Sequence, residues 1–266
     1  MTPTTLEVEA DDTGLMIIRL SRPERLNALS PTLMVELTEQ LQGLVHDLQT
    51  RVVILTGAGR AFSSGADITA EGFPDPGPVS RERHWTDIQR LYSDVVVLLR
   101  RIPQVVIAAV NGPAVGGGFS IAMASDIRFC DASAYFMAAQ INIGQSVSEM
   151  GASYLLPRIV GGRASEILMT GRRVSAEEAD RVGLVSGVSE PGEVLTLARN
   201  TAGLLLEKAP LALRMSKEAL HASQGAGSFE MAITMEDRTQ TLCVLSEDLQ
   251  EAVTAFRDGR RPEFGG

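Results

Sequence analysis

Only two cysteines, Cys130 and Cys243, occur in 266 residues, with no CxxC pair and no His/Cys cluster around them. That argues against a disulfide framework and against a thiolate zinc site. Histidine is nearly as scarce, at three residues. No Lys/Arg-rich run interrupts a formal net charge of −9, so a nucleic-acid surface has no electrostatic footprint. An anionic ligand would need local capture, by helix N-termini and a few placed arginines. No apolar run is long enough to span a bilayer, and the opening MTPTTLEVEADD has neither a basic n-region nor an apolar h-region. The expectation is a cytoplasmic protein with no membrane partner.

What is present is enough apolar sequence, 44%, for one sizeable core, and nothing demands a second independent domain. Residues 5–10 and 14–20 alternate apolar and polar around Asp11-Asp12-Thr13-Gly14 and read as a hairpin. Ser30-Pro31 then opens a helix carrying Leu33, Leu37, Leu41 and Leu44 on one face. Val52 to Leu55 and Val105 to Val110 are buried-type strands, and a third lies near Ile127 to Cys130. The Gly/Pro-rich stretch 71–80 is a loop, and 81–101 return to helical spacing. The alternation predicts an α/β fold with a mostly parallel sheet and ligands at the carboxyl ends of its strands. Beyond Gly151 the pattern is almost wholly helical, including 192–208, 210–223, 228–245 and 246–258.

Two strands end in turns of small residues, Thr56-Gly57-Ala58-Gly59 through Ser63-Ser64-Gly65-Ala66-Asp67, and Asn111 through Gly118. Small residues let a ligand approach the main chain, and helix-opening positions leave N–H groups without intrahelical partners. Two such donors aimed at one oxygen suit a thioester carbonyl that becomes an enolate. The bland reading is tight turns and close helix-to-sheet packing. VVILTGAGRAF also imitates a dinucleotide fingerprint, but Phe62 occupies the third glycine position. Gly118 to Ala122 imitates a hydrolase nucleophile elbow around Ser120, with only His221 downstream to serve as its base.

Four segments, RPERLNALS (22–30), VVILTGAGRAFSSGADI (52–68), AAVNGPAVGGGFSIAMASDIRF (108–129) and LLPRIVGGRASEILMTGRRVSAEEADRVGLVSGV (155–188), carry a resemblance in order and spacing. They resemble the crotonase superfamily, also called the enoyl-CoA hydratase/isomerase family, across nearly the whole chain. The resemblance implies a spiral of ββα units over 1–190, with 191–266 a helical oligomerisation region of the same fold, and homotrimers that often pair into hexamers. It also implies an acyl-CoA thioester substrate, with coenzyme A entering only as part of it and no metal or redox cofactor. The two donors map to the N–H groups of Ala66 and Gly117. The coenzyme A path maps to Arg25, Ala28, Ala66, Asp67 and Ile68, although Asp67 could equally be a capping or structural carboxylate.

Two departures from the family pattern bear on the chemistry. One hydratase glutamate follows the GGG turn by two residues, where Ser120 stands, and the other precedes a glycine by four, where Gln140 precedes Gly144. Neither side chain can serve as a carboxylate. Glu149, eight residues before Pro157, stands at the distance of the catalytic aspartate of the family's dienoyl-CoA isomerases. It is the candidate acid/base if an apolar pocket of Met137, Ile141, Ile143 and Met150 raises its pKa; otherwise it caps the helix beginning near Gly151. The expected activity is that of an enoyl-CoA hydratase or hydratase/isomerase. A catalytically silent acyl-CoA binder is the alternative, and a serine hydrolase using Ser120 stands third.

Overall fold

The computed structural model describes residues 5–69 and 80–265, so the loop expected over 71–80 lies, except for Ser80, outside the described residues. The chain opens with the hairpin β1 (Leu6–Ala10) and β2 (Leu15–Leu20), then reaches α1 (Pro31–Leu44), capped by the Ser30 hydroxyl. Next come β3 (Val52–Gly57) and α2 (Arg81–Arg101), followed by β4 (Val105–Val110), β5 (Ala114–Val115) and α3 (Gly117–Ala124). A further turn brings β6 (Ile127–Asp131), β7 (Tyr135–Met137) and a 3-10 segment, Ala139–Ile143. The remainder is α4 (Ala152–Val160), α5 (Ala164–Thr170), β8 (Arg173–Ser175), α6 (Ala176–Arg181), β9 (Val188–Ser189), α7 (Val194–Leu206), α8 (Pro210–Ser223), α9 (Phe229–Val244) and α10 (Glu247–Asp258).

These elements repeat in a way the sequence does not. One sheet has the order β1-β2-β3-β4-β6-β9, parallel except for the opening hairpin. A second sheet has the order β5-β7-β8, and single bridges between Leu29 and Ala66 and between Ser63 and Ala114 extend its line. Each turn of chain therefore contributes a long strand to the first sheet, a short extended stretch to the second, and then a helix, which is a ββα spiral.

Both faces of the first sheet are covered, which is why its strands read as continuous apolar runs. Val53, Leu55, Val106, Ala108 and Val110 join one cluster with Leu33, Leu37 and Leu41 of α1 and Val95 and Leu99 of α2. Their strand neighbours Val52, Ile54, Ile107 and Ala109 face the other way, onto Val194, Ala198 and Ala202 of α7. The packed body therefore includes α7, and α8, α9 and α10 follow it in the chain.

A buried charge cluster ties α8 to the body. The Asp126 carboxylate, just ahead of β6, meets Lys217 Nζ at 2.9 Å and His221 Nε2 at 2.9 Å, and accepts the Val106 N–H at 2.8 Å. Lys217 also donates to the carbonyls of Leu99 (2.9 Å) and Gln104 (2.7 Å), so three acceptors surround its ammonium; burial lowers its pKa, and the Asp126 charge opposes that shift only in part. By contrast α9 has no buried residue, and Phe229, Met231, Leu242, Leu245 and Phe256 of the tail are exposed. No described helix is long and apolar enough to cross a membrane.

Burial opposes ionisation of Asp126, but the hydrogen bond from His221, the Lys217 charge and the Val106 N–H outweigh it and hold the carboxyl below its ordinary value. A carboxyl depressed on folding contributes stability that is full above its unfolded pKa, about 3.9, and is lost as pH falls through the folded value. Asp126→Asn should therefore cost about 3–5 kcal/mol near neutral pH, because Lys217 is left buried without its counter-ion. It should also flatten the acid side of the stability profile, as measured by urea unfolding between pH 7 and pH 3.

Candidate active site

The two glycine turns meet at the ends of β3 and β4, and buried polar side chains fix their backbones. Leu26 and Asn27 are consecutive left-handed residues, with φ of 52° and 54°. Asn tolerates that conformation better than other non-glycine residues, and this one is closed off from solvent. Its Oδ1 accepts the Arg22 N–H (2.9 Å), and its Nδ2 donates to the carbonyls of Ala58 (2.9 Å) and Ala61 (2.7 Å). From the other side Asn111 Nδ2 donates to the Gly57 and Gly59 carbonyls, and its Oδ1 accepts the Gly57 N–H. Tyr92 of α2 donates its hydroxyl to the Leu29 carbonyl at 2.6 Å.

Leu29 then sets the direction of the Ala66 peptide. Its N–H donates to the Gly65 carbonyl and its carbonyl accepts the Asp67 N–H, the pattern of a parallel bridge. That pairing leaves the N–H of Ala66 facing away, without a partner among the described residues. The N–H of Gly117, at the first position of α3, is likewise unpartnered. The two turns abut: a Cβ on Gly65, which has φ +87°, would lie 2.7 Å from the Val115 carbonyl oxygen. Gly118 allows an equally close approach, since its Cβ would sit 2.7 Å from that of Ser63. Packing and donor placement thus use the same small residues.

Around this pair stand the side chains singled out in the sequence. Ser120 is buried one turn into α3, and its hydroxyl makes a long 3.5 Å contact with the Glu149 carbonyl. Gln140 is buried with its Oε1 unpartnered among the described residues, and that atom lies 3.7 Å from where a Gly116 Cβ would be. Met150, at φ +46°, lays its sulfur 3.0 Å from the Cβ position of Gly117, which brings its neighbour Glu149 to the same place. Glu149 makes no side-chain cap to α4, whose N-cap is Gly151, and its carboxylate has no hydrogen bond or ion pair among the described residues. Burial alone pushes its pKa up. The apolar wall is smaller than expected: Ile143 is 62% exposed, because it follows the 3-10 segment outward.

Arg25 and Ile68 are exposed beside this site, and Ala28 is buried with its carbonyl accepting from Arg22. Asp67 is committed to the scaffold. One carboxylate oxygen meets Arg22 at 2.9 Å, and the other accepts from the Thr69 N–H and hydroxyl. Burial would raise its pKa, but the bonds from Thr69 and Arg22 prevail and lower it. The structure does not bring His221 to Ser120: the imidazole is bound to Asp126 and lies 3.1 Å from the Arg100 carbonyl, so it is not a base for that hydroxyl. Phe62 is part of the core, which leaves the dinucleotide resemblance without a phosphate loop. No cluster of three or more metal-type side chains occurs among the described residues.

Sequence reasoning missed Asn27, Asn111, Tyr92 and Arg22. The available signal was an asparagine between two apolar residues in RLNAL, a poor core residue unless its amide is fully bonded.

The enoyl-CoA hydratase/isomerase family model matches residues 10–266. A Mycobacterium bovis protein described as a probable enoyl-CoA hydratase is 44% identical, over 93% of this chain and 88% of its own. The 1,2-epoxyphenylacetyl-CoA isomerase of Escherichia coli is 32% identical over 95% of both. The crystal structure of an enoyl-CoA hydratase from Bacillus anthracis superposes with a TM-score of 0.93 at 31% identity, covering 99% of this chain and 100% of that one.

Asn27→Ala would strand the Arg22 N–H, take a donor from the carbonyls of Ala58 and Ala61, and place alanine in a left-handed conformation. The expected loss is at least about 2 kcal/mol, read by urea unfolding.

Proposed function

The chain belongs to the enoyl-CoA hydratase/isomerase family, and from that premise we propose that it binds an acyl-coenzyme A thioester between the N–H groups of Ala66 and Gly117 and moves protons through Glu149. The observation that carries this reading is the Glu149 carboxyl, half-buried and unpartnered among the described residues, on a residue whose carbonyl meets Ser120 and whose neighbour Met150 packs against Gly117. A carboxylate whose pKa burial raises, with no ion pair to answer it, is a functional candidate with a physical rationale.

The step balances without a co-reactant. The Glu149 carboxylate takes a proton from an acyl carbon made acidic by conjugation to the thioester, and the electron pair moves onto the thioester oxygen. Two peptide N–H groups stabilise the enolate, each contributing about 2.7–4 kcal/mol. The carboxylic acid then returns the proton to another carbon of the conjugated system, which shifts the double bond. Ser120 and Gln140, neutral where hydratases of the family carry glutamates, leave Glu149 as the carboxylate for this work among the described residues. Arg25, Ala28 and Ile68 are proposed to line the path of the coenzyme A moiety, and Ala66 and Asp67 to meet it through their backbone. The exposed apolar residues of α9 and α10 support assembly into trimers or hexamers.

Turnover of 2-enoyl-, 3-enoyl- and dienoyl-CoA esters should favour double-bond migration. On the best of them Glu149→Gln should lower kcat about 10²–10⁴-fold with ligand affinity barely changed. Because burial raises the Glu149 pKa, the acid limb of kcat/KM should lie above the ordinary carboxylate range, with activity rising as the group deprotonates. Full activity in Glu149→Gln would remove the residue from the mechanism. Acyl-CoA binding with no turnover of any ester would leave a silent binder. Sedimentation equilibrium is expected to give a trimer or hexamer, and a monomer at all concentrations would refute the assembly.

A further inference from the structure

Away from the glycine turns, at the opposite ends of β3 and β4, a cavity of about 670 Å³ opens between the C-terminal ends of α1 and α2 and the face of α8. Arg100, Arg101, Arg214 and Lys217 line it with His46 and His221, against one carboxylate, Glu218. On a chain of net charge −9 such a concentration of cations needs a reason. Helix ends supply part of one, since Arg100 and Arg101 lie in the last turn of α2, where the carbonyls favour positive charge.

The magnitudes decide what remains. The two helix ends offer roughly half a negative charge each. Behind the wall Asp126 answers Lys217, whose three donors are all used, and Glu218 answers one more cation. Within this cavity's own lining about one positive charge is left without a counter-charge; Arg214 also borders the adjoining cavity that holds Asp47, Glu247, Asp248 and Glu251, so the excess lies on Arg100 and Arg101. Hydrogen bonding tells the same story. Arg100 has only the neutral Gln224 side chain as an acceptor, at 2.7 Å, and burial already weighs against its charge. Arg101 and Arg214 are exposed, with no hydrogen bond or ion pair among the described residues.

We propose that this cavity is an anion site for a phosphate group, separate from the thioester site, and that its occupant ties α8 to the C-terminal ends of α1 and α2. Guanidinium forks match phosphate oxygens in pairs, and Arg100, Arg101 and Arg214 present three forks from two elements. A bound dianion would reverse the local charge imbalance and bridge α2 to α8. The buried Lys217 contributes field rather than a hydrogen bond, its donors being committed.

The test is thermal unfolding of the intact protein in sodium pyrophosphate, in ADP, and in sodium sulfate, all at one ionic strength. Sulfate controls for the general stabilisation that excluded anions give. Pyrophosphate should raise Tm about 5 °C above the sulfate value at saturation. The double variant Arg101→Gln/Arg214→Gln, altered only at exposed side chains, should fold normally and lose that difference. Arg25→Gln, on the coenzyme A path, should keep it. An equal shift with ADP makes the source a nucleotide, and a shift with pyrophosphate alone makes it an inorganic anion. The proposal is overturned if pyrophosphate does no more than sulfate, if the double variant retains the shift, or if Arg25→Gln abolishes it.

Discussion

The buried amide of Asn27 holds together two stretches of backbone, 22–27 and 58–61, that would otherwise have no reason to stay in register. It ties the Arg22 peptide to the Ala58 and Ala61 carbonyls, and through them it holds the turn that leads to Ala66. Everything proposed for the thioester depends on this constraint, because the donors are peptide groups and a peptide group is only as well aimed as its chain. Asn111 holds the same turn from β4, and Tyr92 fixes Leu29 from α2. Side chains that touch no ligand thus set the geometry of main-chain groups that would.

The opposite end of the sheet is organised by charge. Asp126, Lys217 and His221 fasten α8 to the starts of β4 and β6, with every contact under 3.2 Å made to a group that is itself buried or bound. The molecule therefore has one end where the glycine turns meet, held mainly by amide hydrogen bonds with the Arg22–Asp67 pair beside them, and another, where the helical tail begins, held mainly by charge. Salt and protonation act on the attachment of the tail at the second end more than on the backbone of the turns at the first.

Much of this was legible in the residues. Long strands and helices declared themselves through apolar runs and spacing, and the four family segments located the turns. Four short strands, β5, β7, β8 and β9, were not readable, since two or three residues give no periodicity to detect. For the same reason the ββα repeat has no periodic signature of its own and was reached only through the family resemblance: what recurs is the path of the backbone, not the side chains. Asp67 shows the limit at a single residue, because only the structure supplies Arg22 as its partner, 45 positions away. Ile143 shows another, since a short 3-10 segment turned it outward where helical or strand spacing would have turned it in.

A site that presents peptide N–H groups separates holding a ligand from acting on it. Positions 120, 140 and 149 lie around those N–H groups without supplying them, so under the proposed function substitutions there exchange one reactive group for another while the proposed grip on a carbonyl persists. For a lineage exploring new chemistry, that arrangement keeps intermediates along the way able to bind, and a protein that has lost one reaction retains the scaffold on which to acquire the next.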